Sequence, residues 1–351
     1  MSDRIVVVCG GALGGYVAGH LARDGQDLTL VDMWPEHVDC MRRHGLQLGG
    51  LTRPENFNTE INALHLSDLH DMARGVGNYD IAFIATKSYD TVWATELIAP
   101  YLSPGGVVIS LQNGINEERI AGVVGWGRTV GCIASKISVE VTHPGIIQRN
   151  IALGGNYHTV FRVGEVHGRI TPRAEKIAAL FAKIDSAVVT DNLWGERWSK
   201  LVVNCMRNPL SAATGRGGND NDRDPRTRNL ALRIAAEAIR IGIAHGYQIG
   251  NIYGMSVDDI MRAVNNDSAA RQRCVEVLMA SVAKRSDEQR PSMGQDMAKG
   301  RRTEIAYLNG LVVAKAKELG LCAPINAAMV EIVQRIERGE LTASPEAVAA
   351  I

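Results

Sequence analysis

The apolar run RIVVV, Arg4 to Val8, passes directly into CGGALGGYVAG, Cys9 to Gly19. A short buried strand, a glycine-rich turn and the start of a helix in immediate succession are how a dinucleotide-binding α/β sheet begins. In the usual arrangement one glycine ends the strand, a second lets the backbone approach a pyrophosphate, and a third lets helix and strand pack closely. Two imperfect registers of Gly-x-Gly-x-x-Gly are present: Cys9, Gly11, Gly14 and Gly10, Ala12, Gly15. The strand end at Val8 favours the first, with Cys9 in the leading glycine's place and Gly10 absorbing part of the turn. A pyrophosphate would then meet Cys9, Gly10, Gly11, Ala12, Leu13 and Gly14, at the N-terminus of a helix beginning near Leu13. The plainer alternative is a turn that merely permits tight packing.

Texture divides the chain. Up to about Thr190 the β-rich runs DLTLV, DIAFIAT, GGVVISL, TVGCIAS, FRVGE and SAVVT alternate with helical patterns, which is the signature of a mostly parallel sheet with crossover helices. The Pro-Gly pair in VTHPGIIQ reads as a turn that allows an antiparallel hairpin among the later strands. Beyond Asn192 the apolar spacing is helical: WSKLVVNCMRNPL, then NLALRIAAEAIRIGIAH after the start signal Asp224-Pro225, then TEIAYLNGLVVAKAKEL and NAAMVEIVQRIE. The expected division is a dinucleotide-binding domain over 1–190 and a helical substrate or dimerisation domain over 191–351. The polar, glycine-rich Gly215 to Arg228 reads as an exposed loop within the latter.

Asp32 ends the second strand about 20 residues beyond the fingerprint, where a carboxylate accepts hydrogen bonds from adenosine ribose hydroxyls. The same carboxylate would repel a 2′-phosphate, so NAD(H) is expected in preference to NADP(H). Its alternative is an ordinary turn residue. Arg42 and Arg43 read as a solvated helix face. Lys200, Asn204 and Asn208 recur at i, i+4 and i+8 on one face of a helix whose other faces are apolar. Such a stripe either faces solvent or lines a polar cavity. Ser292 and Gln295 form a capping-box pattern, and Glu304 falls among Ile305, Leu308 and Leu311 at helical spacing.

Composition excludes several partners. Lys plus Arg and Asp plus Glu are each 38, so no global field draws in nucleic acid or an anionic membrane. Six cysteines lie far apart without a Cys-x-x-Cys pair, so no metal site or redox motif is written. With no run of about 18 apolar residues and no signal sequence, a cytoplasmic protein is expected.

GGALGG, ATKSYD, LQNGINEE, WSKLVVNCMRNPLSAATG and PSMGQDMAKGRRTEIAYLNG, in this order, together resemble the ketopantoate reductase (2-dehydropantoate 2-reductase) family from residue 5 to about 338. The resemblance implies a Rossmann-type, doubly wound sheet domain followed by an all-helical domain, and reduction of a small 2-oxo acid, ketopantoate, to pantoate in pantothenate biosynthesis. It implies Lys200 as general acid, Glu304 as the carboxylate that holds substrate, and Asn204, Asn208 and Ser292 as grips for hydroxyl and carboxylate groups. Lys87 would hold the cofactor, and Asn113 would stand where nicotinamide and substrate meet. The expected assembly, if any, is a homodimer.

A hydride acceptor of this kind needs a proton donor. After residue 191 the one histidine is His245, beside Gly246, which reads as a helix C-terminal cap; this argues against related dehydrogenases that rely on histidine. The chain departs from the family at Cys9, at Asp32-Met33 where an arginine commonly serves NADP, in a longer segment between Asn208 and Ser292, and at Gln289 and Ala306. Two alternatives therefore stand: a different branched 2-oxo or 2-hydroxy acid as substrate, and a non-catalytic NAD-binding regulator.

Overall fold

The computed structural model describes residues 3–74 and 79–351, and the chain falls into two compact units, Met1–Leu193 and Trp194–Ile351. The first contains strands β1 (Arg4–Val8), β2 (Asp27–Asp32), β3 (Leu46–Gly49), β4 (Phe57–Thr59), β5 (Asn62–His65), β6 (Tyr79–Ile84), β7 (Leu102–Ser110), β8 (Thr129–Ala134), β9 (Val139–His143), β10 (Ile146–Arg149), β11 (Phe161–Glu165) and β12 (Ala187–Thr190). Its helices are α1 (Ala12–Arg23), α2 (Pro35–His44), α3 (Leu69–Arg74), α4 (Thr91–Ile98), α5 (Glu117–Val124) and α6 (Pro172–Ala182).

The main sheet runs β12-β11-β8-β7-β6-β1-β2-β5, with only the β8–β11 pair antiparallel. This is a Rossmann-type sheet. Its uninterrupted apolar strands follow from burial on both faces: Ile5 and Val7 of β1 enter one core with α1 and α6, while Val6 and Val8 enter another with α3, α4 and α5. Each such side chain contributes about 1.5–3 kcal/mol relative to exposure, so β1 anchors the sheet from the middle. A second sheet, β4-β3-β10-β9, includes the antiparallel β9–β10 hairpin around Gly145. Gly15 on α1 carries no side chain because a Cβ there would strike Ile147 of that hairpin. The second glycine of the GG pair thus serves packing of the two sheets.

The second unit is helical: α7 (Leu193–Thr214, its first residue still in the first unit), α8 (Gly218–Arg223), α9 (Pro225–Ala244), α10 (Val257–Val264), α11 (Ser268–Val282), α12 (Ser292–Ala298), α13 (Asn309–Glu318) and α14 (Pro324–Glu337). Asp224 caps α9 by accepting from the Arg226 N–H, worth about 1 kcal/mol. No helix among the described residues is long and apolar enough to cross a membrane.

Gly215 to Arg228 is not an exposed loop: it contains α8, where Asn219, Asn221 and Asp222 are buried. The Asn219 amide donates to Asp287 Oδ1 at 2.6 Å, and Asp222 receives Arg207 at 3.0 Å and Arg285 at 2.6 Å. Polar residues that suggest solvent in a sequence are here consumed by one another. Arg42 and Arg43 are both exposed, as expected of a solvated helix face, and Arg42 in addition donates to Ala63 O and Asp68.

Candidate active site

In the first unit β1 lies between β2 and β6, so the crossovers depart in opposite directions and leave a crevice at the C-terminal strand ends, the usual ligand position in such sheets. Cys9 follows β1 with φ 84°, a left-handed conformation that favours glycine. Gly11 is the N-cap of α1. A Cβ on Gly14 would collide with the Cys9 carbonyl and come within 2.7 Å of Ala85. This backbone matches the register Cys9, Gly11, Gly14. Burial first, then the adjacent Asp32 carboxylate, pushes the Cys9 thiol up to about 12, so it stays neutral and acts as a small turn residue.

The N-terminus of α1 presents main-chain N–H groups from Ala12 and Leu13, beside the Gly11 N–H that donates to the Cys9 sulfur, and its first turn has no acidic residue. That is a cradle suited to a pyrophosphate. Asp32, almost fully buried at the end of β2, accepts from the Gly10 N–H at 2.6 Å through Oδ2 and from the Trp34 N–H at 2.8 Å through Oδ1. Each oxygen retains acceptor capacity for a ribose hydroxyl.

His37 carries no local sequence signal of a role at this turn. It is buried, and its Nδ1 accepts from the Gly145 N–H at 2.8 Å. The neutral ring therefore carries its proton on Nε2, which donates to the Gly10 carbonyl at 2.9 Å.

Lys87 and Asn113 follow β6 and β7, adjacent parallel strands. Lys87 is the N-cap of the 3-10 turn Ser88–Asp90. The Asn113 carbonyl accepts from Ser88 Oγ at 3.2 Å and from the Asn116 amide at 2.9 Å, so the two segments are joined directly.

In the second unit α7 carries Lys200 and Asn204, half-buried, and Asn208, buried. The face is therefore not simply wet. Asn208 Nδ2 donates to Ser292 Oγ at 3.4 Å, which brings α12 to α7. Asn309 Nδ2 donates to the Cys205 carbonyl at 3.2 Å and ties α13 to the same helix. Asn204 Nδ2 is buried without a protein acceptor. A buried donor left unmade costs about 1–3 kcal/mol, so this amide is poised for an oxygen the protein does not itself supply. Ser292 is the first residue of α12 rather than its cap, which is Pro291, and Gln295 donates to Arg290 O. The expected capping box is absent because the serine serves Asn208. Glu304 is buried, but it precedes a 3-10 turn, Ile305–Tyr307, rather than lying within a helix. His245 closes α9, as its sequence position suggests, and its Nε2 lies 2.8 Å from Lys315 O.

Residues 5–161 match the sequence profile described as "Ketopantoate reductase PanE/ApbA", and residues 192–337 the profile of its C-terminal part. The chain belongs to the ketopantoate reductase family. Among its relatives, the 2-dehydropantoate 2-reductase of Pyrococcus horikoshii is 29% identical over 344 residues, 95% of this chain and 97% of that one. The crystal structure of a PanE/ApbA family ketopantoate reductase from Ralstonia eutropha JMP134 superposes with a TM-score of 0.76 at 25% identity, covering 96% and 99% of the two chains. The fold is shared also with D-mandelate dehydrogenase in a ternary structure with NADH and anilino(oxo)acetate, with a TM-score of 0.78 at 20% identity over 96% and 99% of the chains.

Proposed function

We propose that this chain reduces ketopantoate to pantoate, with Lys200 as general acid and NAD(H) preferred to NADP(H). The observation that carries the substrate reading is the α7 stripe, half-buried to buried, with one buried amide donor still unmade at Asn204 and with Asn208 and Ser292 side by side. The cradle at Ala12 and Leu13 and the acceptor pair on Asp32 fit a dinucleotide, which when bound supplies the hydride. Lys87 and Asn113, on joined segments at neighbouring strand ends, are assigned to the cofactor, and Asn113 to the substrate as well.

Carbonyl reduction leaves negative charge on oxygen. The Lys200 ammonium gives a proton to that oxygen, a contribution typically of about 10² to 10⁴ in rate, and its charge attracts the substrate carboxylate. Asn204 Nδ2 donates to a substrate oxygen and so satisfies its own buried hydrogen. Asn208 and Ser292 hold further oxygen, and the Glu304 carboxylate accepts from a substrate hydroxyl. The preference for NAD(H) rests on Asp32, whose carboxylate sits where a 2′-phosphate would bring like charge. The first unit is thus assigned to the dinucleotide and the second, together with Asn113, to substrate, and assembly as a homodimer is part of the proposal. Oxidation of NADH and of NADPH, followed with ketopantoate and other 2-oxo acids, tests the reading.

A second substrate, another branched 2-oxo acid, is favoured by one feature. α8 braces the segment leading to Ser292 through Asn219–Asp287 and through Gly218 N to Gln289 O at 3.5 Å, so residues beyond the stripe shape the approach to that serine.

A further inference from the structure

Both main-chain polar groups of Gly10 are held by side chains from distant parts of the first unit. Its N–H donates to Asp32 Oδ2 at 2.6 Å, and its carbonyl accepts from His37 Nε2 at 2.9 Å. A Cβ at Gly10 would stand 3.4 Å from both of those atoms and 2.9 Å from Leu30, so the residue is enclosed as well as bonded. The other nitrogen of His37 accepts from Gly145 N–H, in the turn between β9 and β10. Trp34 lies parallel to the imidazole at 12°, with ring centres 5.3 Å apart, and fixes the plane of the ring. One buried imidazole therefore links the turn after β1, helix α2 and the second sheet.

This arrangement decides which N–H groups the turn offers. With Gly10 N–H already spent on Asp32, the donors left to an anion are those at the start of α1, and their direction depends on the orientation of the Gly10–Gly11 peptide. Cys9 makes this orientation costly, because its φ of 84° is one that a residue with a Cβ rarely adopts. A chain with glycine at this position would need less help. We propose that His37 is a positioning residue for the cofactor: through the Gly10 carbonyl it holds the Gly10–Gly11 peptide in the orientation that aims the α1 N-terminus at the pyrophosphate, and offsets the strain at Cys9. The inference rests on the reading of Cys9 to Gly14 as the cofactor turn.

The hydrogen bonds of His37 need one donor and one acceptor on a short planar group. His37→Phe keeps the ring and its stack on Trp34 and removes both bonds; His37→Gln restores a donor and an acceptor. In the full-length protein, H37F should raise the Kd and KM for NADH by up to about thirtyfold, the equivalent of two neutral hydrogen bonds at their usual net worth. kcat at saturating NADH should stay within about twofold, since the imidazole touches no reacting atom. H37Q should recover most of the lost affinity. Should H37F not be isolable in folded form, His37→Leu, unable to make either bond, takes its place. The control is Ala12→Glu, which puts a carboxylate in the cradle and should abolish NADH binding if the turn holds the pyrophosphate.

Weak NADH binding by H37F, rescue by H37Q and loss of binding in A12E together establish the proposal. Wild-type affinity in H37F with loss in A12E overturns the role of His37 and leaves the cofactor turn intact. Wild-type affinity in A12E overturns the turn itself, and the proposal with it. Equal losses of Tm and kcat in H37F and H37Q, with NADH affinity unchanged, would make His37 a packing residue and overturn the proposal.

Discussion

The cofactor turn and the α7 stripe are built on opposite principles. Both main-chain polar groups of Gly10 are taken, by Asp32 and His37, over sequence separations of 22 and 27 residues. On α7 a buried amide hydrogen of Asn204 is left without a protein acceptor, although Asn208 and Ser292 are paired beside it. A site for a ligand with an invariant backbone gains from being rigid before the ligand arrives. A site that must discriminate among small acids gains from donors that only the right molecule satisfies. On the proposed reading, binding rests on the satisfied turn and selectivity on the unsatisfied stripe.

The largest expected effect breaks the second region alone. Lys200→Ala should lower kcat by about 10² to 10⁴ while the Kd for NADH, measured by fluorescence titration, stays within about twofold of wild type, roughly 0.4 kcal/mol. Near-normal turnover would return the stripe to a structural role.

The next falls on the first unit's satisfied polar interior. Arg149 and Asp185 form a buried pair at 2.7 Å, with side chains 0% and 1% exposed. Burial opposes ionisation of Asp185, but N–H groups of Gly154, Ser186 and Gly155, with Arg149, outweigh it and hold the carboxyl below the usual carboxylate range. A depressed folded value stabilises above the unfolded one and is lost as pH falls through it, so this contribution fades below about pH 4. Asp185→Asn should cost about 3–5 kcal/mol at neutral pH and flatten the acid limb of the stability profile, read by denaturant unfolding. A variant as stable as wild type at pH 7 would contradict this.

The smallest effect sharpens the cofactor side. Asp32→Ala should shrink the preference for NADH over NADPH by about tenfold in kcat/KM, the worth of about one charge-assisted hydrogen bond, and adding Met33→Arg should carry it further because arginine pairs bidentately with phosphate. A wild-type protein that works better with NADPH would remove the role given to Asp32.

How much of this was legible follows from the range of the interactions. RIVVV and the turn after it declare themselves, because burial on both sheet faces and the close approach of α1 are written in consecutive residues. Asp224-Pro225 marks the start of α9 for the same local reason, and the hairpin at Gly145 is marked by its Pro-Gly pair. α8 was not legible: its asparagines and Asp222 resemble loop residues until Arg207, Arg285 and Asp287 are brought to them. The lysine–asparagine stripe was visible as a periodicity, but its burial was not, since that depends on α12 and α13 arriving at α7. His37 was invisible, because Gly145, to which it is bonded, is 108 residues away.

In the function proposed here, the α7 donors select an oxygen-bearing branched 2-oxo acid. The most direct test compares kcat/KM for ketopantoate with that for 3,3-dimethyl-2-oxobutanoate, the same acid without its terminal hydroxyl, using NADH. Loss of that hydroxyl leaves a buried group unpaired at a cost of about 1–3 kcal/mol, so ketopantoate should be preferred by about ten- to a hundredfold. Equal values for the two acids, or turnover confined to larger ones, would contradict the account.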